Sequence, residues 1–316
     1  MPDRPDFTFR AAQIFVTIAE AQSVTRAARR LGMSASSVSQ QLANLESALE
    51  TRLIERNARM FRLTPPGTLF LRRAMALLDD VSAAKAELAL ADEAPRMTLR
   101  VATIEEFDAQ VTPHWLSTLA RRSPNIAFSI SSGASHENHD ALANRAADLI
   151  LAVDATDPAD WVESHPIARD VFVVVTPLGA EVADIEALTA RPFLRYASDL
   201  YIGRQIEAAL RRARIRPDHR YDFTTNRALF ALLAQQGGWA ITTASAILGT
   251  GEDVQAHPLP LPGFARRLSL HARRDALGEL PALMADQLRG SIAATMLTKV
   301  PDTPGLSPDA LSVLSN

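Results

Sequence analysis

The fold of this chain is decided first by residues 23–45, which read SVTRAARRLGMSASSVSQQLANL. Apolar residues at helical spacing on both sides of Gly32 predict two short helices, because glycine adopts the left-handed conformation that lets a tight turn follow a helix. Ser23 and Ser34 stand where side-chain oxygens cap the first amides of such helices. The second helix leaves a polar face, which is typical of a helix that reads a DNA groove. Its inward row is Val38, Leu42, Leu45 and Leu49.

The next segment predicts a wing and a pairing helix. Residues 52–64 alternate short apolar and basic residues around Asn57-Ala58, which predicts a small hairpin. Thr64 followed by Pro65 is a strong helix-start signal. The helix that follows has apolar residues at alternating steps of four and three, which indicates a seam for a partner helix; one side of an intramolecular bundle is the alternative. The seam residues, predicted to mediate dimerisation, are Phe70, Ala74, Leu77, Val81, Ala84 and Leu88.

Charge and composition limit the possible functions. The 316 residues carry a net charge of −3, but residues 1–75 hold eleven Arg against six acidic residues, which gives +5 there and −8 in the remainder. The basic N-terminal quarter has the electrostatic character of a nucleic-acid binder. The absence of cysteine excludes disulfides and thiolate chemistry. No apolar run approaches the ~18 residues of a membrane helix and the start lacks a signal peptide, so we expect a cytoplasmic protein with no membrane partner.

From residue 97 onward, strand-like and helix-like stretches alternate. This alternation predicts an α/β fold with mainly parallel sheets. We expect strands at 97–103, 125–131, 148–153, 171–176, 193–197, 240–243 and 268–272, and helices at 111–121, 138–146, 202–214, 226–235 and 280–298. The tail 304–316 contains two prolines and several serines, and we expect it to be frayed or disordered.

Across residues 9–67 the chain resembles the LysR-type transcriptional regulators. The matching positions include Thr25-Arg26-Ala27-Ala28, Leu31-Gly32, Val38-Ser39 and Arg62-Leu63-Thr64-Pro65. From residue 97 to about 300 the resemblance is looser but includes Trp239-Ala240-Ile241 after Gly238. The resemblance implies an all-α winged helix-turn-helix N-terminal domain, a long linker helix, and an α/β two-lobed, periplasmic-binding-protein-like (type 2) effector domain.

The resemblance also implies domain bounds and partners. The winged helix-turn-helix would span 1–65, the linker and dimerisation helix 66–94, and the effector domain 95–303. Lobe I would comprise about 95–176 and 268–303, and lobe II about 177–267. Members of the family act on double-stranded promoter DNA, usually as tetramers built as a dimer of dimers. A small-molecule effector between the lobes alters DNA bending and RNA polymerase recruitment, and no cofactor is implied.

The predicted DNA-reading residues combine a face of short polar side chains with basic flanks. Phosphate contacts position such a protein and base contacts specify the sequence. An ordinary amphipathic helix with a solvated serine face is the alternative for residues 34–47. Ala35 and Gln40 replace the Gln and Arg that the family often has there, which favours an A·T-leaning half-site. The predicted set is Ser23, Thr25, Arg26, Ser34, Ala35, Ser36, Ser37, Ser39, Gln40, Gln41, Asn44, Arg52, Arg56, Arg59 and Arg62.

The predicted effector site lies where parallel strands end and the following helices begin, because these ends face one crevice. Hydroxyl groups dominate there and suit an anion, although each could merely cap a helix. Glu105 and Glu106 complicate an anionic effector: either they are caps that face solvent, or Glu105 points inward and the effector carries an amine. The predicted effector-binding residues are Thr103, Glu105, Ser132, Ser135, Ser198, Thr225 and Thr242.

No catalytic constellation is recognisable, so no catalytic residue is predicted and the protein is not expected to be an enzyme. The segment His136-Glu137-Asn138-His139 places its histidines three apart instead of four, which favours a solvated loop over a zinc site, and no metal ligands are predicted. The rival interpretations are a cytoplasmic solute-binding protein or an α/β enzyme, each with a non-functional helical N-terminus.

Overall fold

The computed structural model describes residues 7–55, 61–89, 97–181, 185–250, 254–259 and 263–315. The chain divides into two compact units, an N-terminal unit of Met1–Ala86 with Asp275–Gly278 and a C-terminal unit of Glu87–Arg274 with Glu279–Asn316. Within the described ranges, no helix combines the length and the apolarity that crossing a membrane requires.

The N-terminal unit contains the predicted helix pair around Gly32. Its helices are α1 (Phe9–Ala21), α2 (Val24–Leu31), α3 (Ala35–Ala48) and the long α4 (Pro65–Ala89). Gly32 ends α2 with a φ of 62°, and the side chains of Ser23 and Ser34 cap α2 and α3 by accepting from backbone amides. These contacts confirm the predicted helix–turn–helix.

The base of the predicted wing is present as a short antiparallel bridge between Ile54 and Leu63. The amide of Glu55 donates to the carbonyl of Arg62 at 3.0 Å. A Cβ on Gly67 would lie 2.0 Å from the carbonyl oxygen of Leu53, so only glycine lets α4 begin this close to the wing strand. The predicted turn at Asn57-Ala58 lies outside the described residues.

The C-terminal unit alternates strands and helices. Its strands are β1 (Met97–Thr103), β2 (Ile126–Ser132), β3 (Leu149–Val153), β4 (Val162–Pro177), β5 (Phe193–Tyr196), β6 (His219–Phe223), β7 (Ala240–Thr243), β8 (Val254–His257), β9 (Ala265–Arg273) and β10 (Leu311–Val313). Its helices are α5 (Val111–Arg122), α6 (Ser135–Ala143), α7 (Ile185–Thr189), α8 (Tyr201–Arg212), α9 (Asn226–Gln236), α10 (Ala244–Thr250) and α11 (Leu280–Thr295). A 3₁₀ turn, Glu105–Phe107, follows β1.

The prediction of mainly parallel sheets is wrong, because the large sheet is mixed. Its order is β10-β4-β9-β3-β1-β2, with β7 and β8 also paired to β4, and β5 and β6 form a separate pair. Only β1 with β2, β1 with β3 and β5 with β6 are parallel among the described strands. The antiparallel pair of β4 and β9 arises because the chain leaves lobe I along β4 and returns beside it along β9.

Strand pairing marks where the chain crosses between the lobes. The first part of β4, up to Val171, pairs with β9, whereas Phe172 to Pro177 pair with β7 and β8. The outgoing crossing therefore lies near Val171, and the return lies near Ala265, where β9 begins. Both precede the crossings at Thr176 and Leu268 that the resemblance implied.

The expectation of a disordered tail is wrong for its described part, residues 304–315. Leu311 to Val313 pair antiparallel with β4, and the carbonyl of Pro304 accepts from the amide of Ala256 at 2.9 Å. Gly305 adopts a φ of 73°, and a Cβ there would lie 1.9 Å from the carbonyl oxygen of Ala256. Ala310 and Leu311 are buried. Backbone pairing and apolar burial together offset the entropy of ordering this segment.

Candidate functional site

The exposed face of α3 presents a continuous row of short polar side chains. Ser34 Oγ lies 2.9 Å from Ser36 Oγ and 2.8 Å from Ser37 Oγ, and Gln40 Nε2 donates to Asn44 Oδ1 at 2.9 Å. These bonds hold the side chains along the helix surface in a defined arrangement. Of the predicted DNA-reading residues that the structure describes, Ser23 and Gln41 are half-buried and the rest are exposed: Thr25, Arg26, Ser34, Ala35, Ser36, Ser37, Ser39, Gln40, Asn44, Arg52 and Arg62.

Basic side chains flank this face. Arg52 and Arg62 stand exposed at the base of the wing, whereas the predicted Arg56 and Arg59 lie outside the described residues. The sequence-based prediction left out Arg29 and Arg30, which are exposed in the last turn of α2. The sequence contained a signal for both arginines. They lie three and four residues after Arg26, on the solvent side of a helix whose inward face is Ala27 and Ala28.

The apolar residues of α4 divide into two groups. Phe70 packs against Phe7 and Phe15, with ring centroids 5.6 and 5.4 Å apart, and Ala74 is buried in a cluster with residues of α1. These two predicted dimerisation residues therefore contribute to the core of their own unit, because α4 lies across α1 at its start. Further along, Val81 is half-buried, and Leu77, Ala84 and Leu88 are exposed.

The C-terminal unit contains a cleft of about 450 Å³ between its two lobes. The 3₁₀ turn after β1 and the start of α6 line it from lobe I, and the starts of α8 and α9 line it from lobe II. Four of the predicted effector-binding residues line this cleft, namely Glu105, Ser132, Ser135 and Thr225.

The other three predicted effector-binding residues are not among the lining residues. Thr103 is buried and its hydroxyl donates to Asp108 Oδ1 at 3.0 Å, and Thr242 is buried with its hydroxyl 2.8 Å from that of Tyr196. Both side chains bond to the walls behind the cleft instead of facing it. Ser198 is exposed outside the lining. Strand alternation alone did not reveal which hydroxyls turn inward.

A buried guanidinium that the sequence did not indicate lies at the back of the cleft. The side chain of Arg266, on β9, is 5% exposed. Its Nη2 donates to Glu106 Oε1 at 2.8 Å and its Nε donates to Asp170 Oδ2 at 2.9 Å. Burial alone lowers the pKa of Arg266, but the two carboxylates outweigh burial and raise that pKa above its ordinary value. The cluster joins lobe I to both crossing strands.

Glu105 contacts the opposite lobe. Its Oε2 accepts from the amide of Asn226 at 2.8 Å, and its Oε1 accepts from the amide of Arg227 at 3.4 Å. These are the first two amides of α9, so the carboxylate from lobe I caps a helix of lobe II. Burial raises the pKa of Glu105, and the two backbone bonds offset that rise only in part. Glu105 therefore does not face solvent as a cap of its own turn. It points inward, but its carboxylate is already hydrogen-bonded to α9.

The 3₁₀ turn and Gln110, which precedes α5, make further contacts with lobe II. A Cβ on Gly249 would lie 2.2 Å from the carbonyl oxygen of Glu106, so α10 approaches the turn as closely as a glycine allows. Gln110 Nε2 donates to the carbonyl of Leu248 at 3.2 Å. These two contacts and the Arg266 cluster hold the lobes together independently of Glu105.

The segment His136–His139 belongs to α6, so the expectation of a solvated loop is wrong. Asn138 is buried and its side-chain amide donates to the carbonyls of Thr103 and Leu151. His139 Nε2 lies 2.9 Å from the carbonyl of Val153. These bonds fasten α6 to the ends of β1 and β3. Among the described residues, no group of three or more acidic or histidine side chains is placed to hold a metal ion.

Family comparison accounts for both units. Residues 9–68 match the model for the bacterial regulatory helix-turn-helix protein of the lysR family, and residues 92–292 match the LysR substrate binding domain. The second match alone covers more than half of the chain. The chain belongs to the LysR family of transcriptional regulators.

Individual relatives agree with this assignment. A protein of Mycobacterium xenopi named "Probable hydrogen peroxide-inducible genes activator" is 34% identical over 172 residues, which cover 54% of this chain and 90% of that protein. Full-length OxyR C199D of Pseudomonas aeruginosa is 20% identical with a TM-score of 0.63, covering 90% of this chain and 98% of that one. Full-length CbnR, solved in complex with its target DNA, is 19% identical with a TM-score of 0.50, covering 90% of this chain and all of that one.

The family fixes the class of function. The protein is a LysR-type DNA-binding transcriptional regulator with an effector-binding domain, and it is not an enzyme. The rival interpretations, a solute-binding protein or an enzyme with a non-functional N-terminus, are not favoured. The winged helix-turn-helix, the linker helix and the two-lobed α/β domain agree with the fold that the resemblance implied.

Proposed function

We propose that the exposed face of α3 enters the major groove of promoter DNA and reads base edges, while arginines of α2 and the wing contact phosphates. The single observation that carries this proposal is the row of exposed short polar side chains from Ser34 to Asn44 within the basic part of an acidic chain. Short polar groups reach base edges, and guanidinium groups bind phosphate oxygens. CbnR, whose fold is similar, is also a protein that binds a target DNA.

The cleft binds a small-molecule effector that modulates DNA binding. Ser135 Oγ accepts from the amide of Val153 and Thr225 Oγ1 accepts from the amide of Ala228, so each hydroxyl keeps its proton for a ligand acceptor. Since the 316 residues contain no cysteine, thiol oxidation in this chain is not the signal.

The remaining partners follow from this role. Leu77, Val81, Ala84 and Leu88 on the outer part of α4 pair with a second copy, and two dimers form a tetramer. The tetramer bound at a promoter recruits RNA polymerase. Because promoter DNA is its target, the protein works in the cytoplasm.

A binding assay with the DNA upstream of the protein's own gene tests the DNA-reading proposal. We expect the full chain to bind this DNA at moderate salt and Gln40→Ala to lower the preference for it over unrelated DNA. Lys299→Gln, a change at an exposed position of the C-terminal unit, is the control and should bind as the parent does. Equal binding of both DNAs by the parent protein would contradict the proposal.

A thermal unfolding screen tests the effector cleft. All tryptophans of the chain, Trp115, Trp161 and Trp239, belong to the C-terminal unit, so their fluorescence reports the unfolding of that unit alone. A ligand that binds only the folded cleft raises the unfolding midpoint by mass action. We expect at least one compound among carboxylates, amines and aromatic metabolites to do so, and a Ser135→Ala variant to lose the effect. A midpoint shift that is identical in the variant would place the ligand elsewhere.

A further inference from the structure

The tail that follows α11 contacts both lobes of the C-terminal unit. The carbonyl of Pro304 accepts from the amide of Ala256, on β8 of lobe II, at 2.9 Å, and a Cβ on Gly305 would lie 1.9 Å from the carbonyl oxygen of Ala256. A few residues later the tail is on lobe I, where β10 pairs with residues 168–170 of β4. The tail therefore leaves lobe I, reaches lobe II and returns. We call residues 303–314 the strap.

Buried side chains and backbone hydrogen bonds fix the strap in place. Leu306, which follows Gly305, and Leu311, in β10, are both buried. The amide of Val171, at the outgoing crossing between the lobes, donates to the carbonyl of Ala310 at 2.8 Å. Apolar burial and hydrogen bonding offset the entropy of ordering a chain end, so the strap ties the two lobes together.

The two strands that cross between the lobes lie side by side at the crossing. The amide of Phe172 donates to the carbonyl of Phe264 at 3.0 Å, and their rings stack with centroids 4.2 Å apart. Two adjacent strands can act as a hinge, because a few backbone dihedrals absorb the rotation of one lobe against the other. The strap contacts lobe II at Ala256, on a strand outside this pair. It therefore restrains rotations that the two crossing strands alone permit.

The strap acts independently of the cleft. The contacts that Glu105 and Arg266 make between the lobes involve side chains of the cleft lining, so a bound ligand alters their surroundings. Among the described residues that line the cleft, none belongs to the strap. The strap therefore opposes a change of lobe angle whether the cleft is empty or occupied.

We propose that the strap holds the lobes at the angle of this structure and limits how far they rotate. A ligand that favours a different angle has to work against the strap, which lowers the apparent affinity of the cleft for that ligand. This consequence rests on the proposed effector role of the cleft, whereas the restraint itself does not. A weakened strap is then expected to widen the range of lobe angles in the protein without a ligand.

Substitution of Gly305 tests the contact with lobe II. Gly305→Ala in the full chain forces a Cβ against Ala256 and also strains a backbone with a φ of 73°. Gly179→Ala is the matched control, because Gly179 has a φ of 79° but no atom within 4 Å of its Cβ position, so only the strain is added. We expect the amide of Ala256 to exchange hydrogen about tenfold faster in Gly305→Ala, since its hydrogen bond to the strap is lost, and at the parent rate in Gly179→Ala.

Spin-label distances measure the lobe angle. Because the chain has no cysteine, labels can be placed at Ala293→Cys in lobe I and Arg212→Cys in lobe II, both exposed, with unlabelled protein added to dilute contacts between copies. We expect a broader distance distribution in Gly305→Ala than in the parent, and a parent-like distribution in Gly179→Ala. Equal distributions in the parent and Gly305→Ala, or equal broadening in both glycine variants, would overturn the proposal.

A second pair of variants keeps the test if Gly305→Ala folds poorly. Leu311→Ala removes a buried side chain from the lobe I end of the strap, and Leu142→Ala removes an equally buried one from α6, outside the strap. Both should lower the unfolding midpoint, but only Leu311→Ala should broaden the distances. DNA binding by the parent protein is measured beside them: distances that stay fixed in both strap variants contradict the strap alone, whereas a parent that ignores DNA contradicts the proposed function.

Discussion

The face of α3 and the cleft between the lobes are both polar surfaces, but they are built in opposite ways. The α3 face comes from residues 34–44 of one helix and its side chains bond to near neighbours in sequence. The cleft combines segments that lie between Ile104 and Arg266, and its decisive bonds join residues more than 90 positions apart. Local spacing determines the first surface, whereas only the assembled fold determines the second.

The largest expected effect comes from a substitution in the cleft, whose bonds join residues distant in sequence. Arg266→Met leaves Glu106 and Asp170 buried without their cation, and breaking a buried pair in this way costs about 3–5 kcal/mol of unfolding free energy. Urea unfolding followed by tryptophan fluorescence measures this cost in the C-terminal unit. Arg267→Met is the matched control on the same strand, because its side chain is 60% exposed and its contact with Asp154 is worth about 1 kcal/mol at most. Equal loss in both variants would contradict the assigned role of Arg266.

A pH-dependent effect ranks next. Burial, together with the neighbouring His139, lowers the pKa of His271 to about 4, although Asp154 lies 3.7 Å away. Between pH 6.5 and 4 the unfolded state then binds more protons at His271 than the folded state does. His271 therefore contributes to the free energy of unfolding above pH 6.5, and this contribution is lost as the pH falls toward 4. The shift corresponds to about 3 kcal/mol.

Unfolding of the C-terminal unit at several pH values measures this loss. We expect His271→Gln to flatten the dependence between pH 6.5 and 4, and the exposed control His219→Gln to leave it unchanged. A parent-like slope in His271→Gln would show that other groups, such as His165 and His257, whose pKa values are also lowered by burial, carry the dependence.

A smaller effect sharpens the assignment of the α3 face. Gln40→Ala removes the amide that we propose pairs with adenine, and a bidentate base contact is worth about 1–3 kcal/mol of discrimination. Selection of binding sites from random DNA should show relaxed preference at one base-pair position in each half-site. If the parent protein instead selects guanine at that position, the expected A·T-leaning half-site is wrong.

The smallest effect concerns a single phosphate contact. Arg62→Gln should weaken binding to all DNA sequences alike and lower the slope of log affinity against log salt by about 0.9. Titrations of specific and unrelated DNA at several salt concentrations measure both changes. A variant that alters sequence preference and keeps the parent's salt slope would assign Arg62 to base reading.

The sequence predicted most of the features that depend on residues close to one another in the chain. The caps Ser23 and Ser34, the turn at Gly32 and the inward row of α3 follow from periods and turn chemistry that a few residues determine. In the C-terminal unit the strands β1, β3 and β7 were also predicted, since each lies in a short run rich in β-branched and apolar residues. The exposed β6 and the short β8 and β10 were missed because none is an apolar run long enough to stand out.

The candidate cleft was predicted only in part, for a related reason. Ser132, Ser135 and Thr225 lie where strands meet helices, so topology alone brings them to the crevice. Arg266 lies within a strand and meets Glu106 and Asp170 only after both crossings are made. Likewise, the partner of Glu105 is a helix start more than 100 residues away, which no local pattern indicates.

The position of β9 also bears on how the nascent chain folds. β3 of lobe I needs β9 as its neighbour, and β9 is synthesised only after every residue from Phe172 to Phe264. Lobe II is contiguous, so it can close while its contacts are still short in sequence, whereas lobe I must wait for the long loop between β3 and β9 to be complete. The lobe that begins first on the ribosome is therefore the lobe that is completed last.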